Sequence, residues 1–227
     1  MLKVESPDTA LAEPHPVDQP LVITRRRIDR VLIAVGALAA VVFAVAGALL
    51  MWGASFSDDY VHRELTSQRI TMPDEATLRE EGLDHLVKWA GTPLDSGPKA
   101  EGYAQYIDGH LRNTGAKWAE EGQLPLTYAE MGGPERAARV AVTEAVEAGA
   151  TDEEVAELQA VADEASNDRN TLFKGETLRG LLLSAYAWST VGTIAMYSAI
   201  GAFVAAVLMG VLVALGLVHM RRTTPPA

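Results

Sequence analysis

Two long runs without a charged side chain stand near opposite ends of the chain, Val31–Ala54 (24 residues) and Leu181–Val218 (38 residues), with a polar, charged stretch between them. About 18 or more apolar residues, at ~1.5 Å rise per residue, suffice for a helix to cross a ~30 Å hydrocarbon core. The first run matches one crossing. The second would be about 57 Å long as a helix, too long for one. Tyr186 and Trp188 are ring residues of the kind that settle at headgroup level, so the second span is expected at 191–218. Gly175–Thr190 then continues the same helix outward, and Trp52 and Tyr60 mark the matching outer end of the first span. A cleaved signal peptide would carry an apolar region of only ~7–15 residues, so the first run is expected to be retained as an anchor.

Between the spans the pattern is helical. Ser57–Arg69 has the composition to extend the first span outward. Met72-Pro73-Asp74-Glu75 has proline early and acids in a first turn, and Leu78, Leu83, Leu86 and Trp89 give a loose stripe up to Gly91. Gly91–Pro98 reads as a turn-rich linker. A helix follows from about Lys99 to Arg112, with Tyr103, Tyr106, Ile107 and Leu111 near helical spacing. Asn113–Pro134, broken by glycine and proline, reads as a long irregular connection, and Pro134–Gly149 as another helix. Thr151-Asp-Glu-Glu154 is a capping box opening a helix to about Ala165, striped by Val155, Leu158 and Val161. Thr171 onward leads into the second span, and no strand alternation persists.

The fold class expected is an all-α membrane protein: two transmembrane helices extended outward into a helical extracytoplasmic domain. The divisions are a disordered cytoplasmic leader (1–30), span one (31–54), an acidic helical domain (55–190), span two (191–218) and a short tail (219–227). Arg25, Arg26, Arg27 and Arg30 precede the first span, and Arg221 and Arg222 follow the second. Basic flanks stay cytoplasmic, so both termini point inward across the plasma membrane. Small residues recur every fourth position, at Gly36, Ala40, Ala44 and Ala48 and at Ser198, Ala202, Ala206, Gly210 and Ala214. Such stripes let helices approach closely in lipid, either within the chain or between copies. No ionisable residue lies inside either span, which reads as anchorage rather than transport.

Charge narrows the partners. Residues 55–180 hold 12 basic and 25 acidic side chains, a net of −13 within a chain of −11. Nucleic acid is excluded as a partner; the acidity reads first as a solvated charged surface that keeps the domain soluble, and it can attract a basic partner. There is no cysteine, so disulfides, thiol nucleophiles and thiolate metal sites are absent. The histidines (His15, His62, His85, His110, His219) include no pair at the spacing of a helical zinc site. Paired acids such as Glu120/Glu121 and Glu153/Glu154 are sequence neighbours in polar segments, unlike two carboxylates in different environments across one cleft. No catalytic, cofactor-binding or metal-ligating residue is assigned.

The segment Phe173–Trp188 gathers the candidate contacts: Lys174, Glu176 and Arg179 just outside the span, with Tyr186 and Trp188 nearer to it. Glu176 and Arg179, at i and i+3, can pair on the helix. Phe173–Trp188, together with Ala104–Leu111 and Leu126–Glu130, resembles two-span membrane proteins of actinobacteria, some of which carry the label aromatic ring-opening dioxygenase. The resemblance covers the layout of the whole chain and implies a setting without an assigned chemistry. No His and Glu cluster at iron-ligand spacing accompanies it. The expected role is a non-enzymatic membrane protein, embedded in the bilayer, whose acidic domain contacts a membrane or envelope partner or another copy. The alternative is an extracytoplasmic enzyme or ligand sensor built from scattered carboxylates and histidines, such as His85 or His110.

Overall fold

A computed structural model of the chain describes residues 25–222; the leader's residues 1–24 and the tail's 223–227 lie outside them. The described residues are mostly helical, with no strand longer than an isolated bridge: α1 (Arg25–Ser67), α2 (Glu75–Glu80), a 3-10 turn (Asp84–Trp89), α3 (Gly97–Ala116), α4 (Gly132–Glu147) and α5 (Asp152–Arg222). They fall into two compact units, one made by α1 up to Phe43 with α5 from Val204, the other by Ala44–Phe203.

Helices α1 and α5 are each long and apolar enough to cross a membrane. Only 6% of α1's apolar window and none of α5's is buried, so neither is the core helix of a globular body. α1 takes in Arg25–Arg30 and runs on to Ser67, while α5 is unbroken where a gap between about Ala165 and Thr171 was expected.

Covered positions on both helices follow a seven-residue beat rather than the expected four. On α1 they include Ile33, Gly36, Ala40, Gly47 and Ala54, and on α5 Gly192, Ala199, Ala206 and Val213. This is the seam spacing of paired helices that wrap each other. In the first unit, Gly36 abuts Val213 and Met209, and Gly216 abuts Ile33, so the helices run antiparallel. In the second, a Cβ on Gly47 would lie 3.0 Å from the Phe203 ring, and Gly192 fits against Ser57. The Ser57 hydroxyl, in a buried side chain, donates to the Trp188 carbonyl at 2.7 Å and fixes the register there. Of the expected stripes, Gly36, Ala40, Ala44, Ala202 and Ala206 are covered, whereas Ala48, Ser198, Gly210 and Ala214 face outward. Steps of four advance about 40° per repeat around a helix of 3.6 residues per turn, so such a stripe drifts off the seam.

The segment after α1 folds back as a clasp. Met72 N–H donates to Thr92 O and Leu94 N–H to Ile70 O, both at 2.9 Å, around the isolated bridge between Thr71 and Pro93. The expected linker Gly91–Pro98 is therefore partly structural, and α3 begins at Gly97 with Pro98 in its first turn. The expected helix up to Gly91 divides in two. Asp74 caps α2 through Thr77 N at 2.9 Å, but Gly82 adopts φ +71° and Leu83 N–H turns back to Leu78 O at 2.8 Å. That is the closure of a helix by a left-handed glycine.

One apolar core beneath the clasp joins Val61 and Leu65 of α1, Leu78, Leu86, Leu94, Ala100 and Ala104, and Leu182 of α5. A second joins Leu111, Met131, Ala165 and Leu172. Glycine at Gly175 lets Leu111 lie directly on α5. The capping box forms as expected, with Thr151 N–H donating to Glu154 at 2.9 Å and Glu154 N–H donating to the Thr151 hydroxyl at 3.3 Å. Of the stripe that follows, Val155 and Leu158 are half-buried, but Val161 is exposed and Ala162 takes the inward position.

Candidate docking surfaces

The five candidate contacts do not converge on one point. The guanidinium of Arg179 bonds Glu176 at 3.1 Å, as expected, and also reaches Asp108 of α3 at 3.4 Å. Asp108 is shared with Arg112, whose Nε lies 2.8 Å away. Lys174 is exposed and joins no ion pair among the described residues. Tyr186 is half-buried, with its backbone against Gly97, where the added side chain of any other residue would overlap Ser189. Trp188 is 55% exposed at a separate groove. The segment Phe173–Trp188 thus serves two surfaces.

The upper surface forms where the loop after α3 returns to α5. Trp118 donates its indole N–H to Asp168 at 2.9 Å, and Lys117 adds an ion pair to the same carboxylate at 3.3 Å. Thr127 then donates both its N–H and its hydroxyl to Glu130 at 2.8 Å, a local turn that presents Tyr128. The Tyr128 ring lies between the Arg169 guanidinium, 4.8 Å from its centroid, and the Phe173 ring at 5.4 Å. Arg169 in turn donates to Glu135 at 2.7 Å. Leu124, 85% exposed, borders with Tyr128 a groove of about 280 Å³ whose polar wall is Asp108, Arg112 and Glu176.

The hydrogen bond from Arg169 is the chief cause that holds the Glu135 carboxyl below its ordinary value of 4.5. A lowered carboxylate contributes stability that is complete above the unfolded value and is lost as pH falls. Relief of repulsion within the acidic domain runs the other way, so the readout is a difference between two proteins. Glu135→Gln is expected to lower the thermal midpoint at pH 7, and its gap to the wild type should narrow as pH falls below the ordinary carboxyl value of 4.5. A gap that does not change with pH would show the pair to be inert.

The lower groove, of about 360 Å³, lies between the C-terminal part of α1 and α5. On one wall Glu64 and Gln68 stand among Tyr60, Val61, Leu65 and Ile70; Leu178, Leu181, Ser184 and Trp188 line the other. Trp52, Phe56 and Tyr60 stack along α1 at centroid spacings of 5.9 and 6.2 Å, a ladder that climbs toward it. The i, i+4, i+8 spacing of those rings was readable in the sequence. Leu124, Asp108 and Arg112 carried no such signal.

No protein-family model matches the chain, and no curated protein or solved structure is detectably similar to it. The geometry therefore carries the functional argument.

The histidines proposed for an enzymatic site stand in ordinary contacts. His85 Nε2 is 2.9 Å from Gln105, and His110 Nδ1 is 4.0 Å from Glu81 with its imidazole packed edge-on against Tyr106. Among the described residues no three His, Asp or Glu side chains are arranged to hold a metal ion.

Proposed function

We propose that this is a non-enzymatic protein of the plasma membrane, both termini cytoplasmic, whose acidic outer domain docks a basic region of a membrane or envelope protein. The observation that carries this reading is the upper surface. Leu124, almost wholly in solvent, adjoins Tyr128 and the wall of Asp108, Arg112 and Glu176, while Phe173 packs on Tyr128. Exposed aromatic and aliphatic anchors ringed by charged and Arg side chains are the make-up of protein interfaces. The net charge of −13 over residues 55–180 favours a basic partner and opposes face-to-face pairing of two copies.

A photo-crosslinking side chain at Phe173, introduced in cells, is expected to give one discrete adduct with a basic protein. Leu124→Asp should abolish it, and the same probe at the exposed Val146 of α4 should not form it. Adducts equal at both positions would refute the docking surface. Orientation has its own test, made clean by the absence of native cysteine. An impermeant maleimide should label Ala150→Cys on intact cells and Thr224→Cys only after lysis; the reverse pattern would invert the topology.

A further inference from the structure

The lower groove has an asymmetry that specifies an occupant. On α1 the uncharged run ends at Ser57, with Asp58 and Asp59 next; on α5 it continues to Leu181. The hydrogen bond from Ser57 to Trp188 O sets the two helices level at that point. Leu181 therefore stands about 10 Å beyond it along α5, at 1.5 Å per residue, and is 65% exposed. Opposite it, Glu64 and Gln68 are the polar interruptions of a wall that also carries Val61, Leu65 and Ile70. If the spans lie in a bilayer, as proposed above, the α5 wall rises out of the hydrocarbon while the stacked rings of Trp52, Phe56 and Tyr60 lead up to it.

We propose that this groove holds one acyl chain of a bilayer phospholipid whose head carries an ammonium group, drawn partly outward so that the head rests beside Glu64. Size, polarity and charge each point that way. A volume of about 360 Å³ lies within the range of small-molecule sites and is narrow for a helix, whose diameter with side chains is about 10–12 Å. Most of the lining is aliphatic and aromatic, which suits a hydrocarbon chain; Glu64 and Gln68, opposite Leu181, supply a polar spot that suits the region of a head. Glu64 is the groove's one ionisable carboxylate, and the domain around it is strongly acidic. An anionic head is repelled there and a choline or ethanolamine head attracted.

The test uses the full chain in nanodiscs of phosphatidylcholine doped with a photoactivatable acyl-chain phosphatidylcholine, or with the phosphatidylglycerol of the same chain. Adducts with the choline probe are expected at Leu178, Leu181 and Trp188, and about fivefold fewer with the glycerol probe. Ser184→Trp, a change at an exposed position on the groove's edge, should remove the adducts at Leu178 and Leu181 and leave those within the spans. Glu64→Lys, on the α1 surface, should invert the head preference. Adducts confined to residues on the span side of Trp188, or indifferent to both substitutions, would overturn the proposal. So would protein adducts in place of lipid at Leu181 in cells. Phe173 and Leu124 lie outside this groove, so failure here leaves the docking reading standing, and failure of docking leaves this one.

Discussion

Leu94→Ala is expected to cost about 2–5 kcal/mol. Leu94 has no exposed surface, and it sits in the core with Val61, Leu65, Leu78 and Leu86. Truncation removes apolar contact and leaves a cavity, and the surroundings can relax little because Leu94's own backbone is pinned. Its N–H is held by Ile70 O, and the neighbouring Thr92 carbonyl holds Met72. The loss should therefore appear first in the clasp. Amide exchange at Met72 and Leu94 is expected to accelerate together in the variant, ahead of amides in α4. Uniform acceleration across residues 55–190 would mean that the clasp is not a unit of its own, and an unchanged thermal midpoint would refute the cavity argument.

Gly115→Ala should be nearly as damaging, by about 3 kcal/mol, although it adds only a methyl group. Gly115 is buried in the last turn of α3 with Leu126 laid across it, and a Cβ there would overlap the Leu126 carbonyl oxygen. A flexible side chain could swing away; a carbonyl cannot, and Leu126 N–H is itself bonded to Gly115 O at 3.2 Å. The loop would have to lift, taking with it Trp118, whose indole bonds Asp168. Thermal unfolding followed by tryptophan emission reads this directly. Gly180→Ala is the control, since nothing lies within 4 Å of a Cβ there and the glycine is inside a helix. That change should stabilise by roughly 0.5–1 kcal/mol. Equal effects at the two sites would show that close approach at Gly115 is not the cause.

How far the sequence could be read depended on the range of each interaction. The capping box at Thr151 and Glu154 was legible because both partners lie within one turn. The pairing of Glu176 with Arg179 was legible for the same reason. The bond from Arg179 to Asp108 was not, because the two residues lie 71 positions apart and only the return of α3 to α5 brings them together. Likewise the break at Gly82 depends on Leu83 folding back to Leu78, a choice made by the core rather than by the glycine alone. The apolar runs gave two helices long enough to cross a membrane, but they carried no information about which face of each helix meets the other. The proposed docking surface was half legible: Phe173 lies in the segment Phe173–Trp188 that flanks the second apolar run, whereas Leu124 reads as one apolar residue in a loop.

The seven-residue beat of small residues on α1 and α5 also sets how the chain can change over time. Glycine and alanine have no rotamers to freeze, so the helix pair forms without side-chain entropy loss at those positions. Their size is nonetheless their function: a larger residue at Gly36 or Gly47 would strike Val213 or Phe203. Outward positions such as Val45 and Leu49 meet no such neighbour and stay exposed. Divergent descendants of this chain should therefore exchange Val, Leu, Ile and Phe freely on the outward faces while keeping glycine or alanine at the seam positions where these small residues receive a neighbour, such as Gly36, Gly47 and Gly216. Tolerance to substitution would rise and fall with a period of about 3.5 residues, a rhythm set by steric permission in helices whose hydropathy is nearly constant.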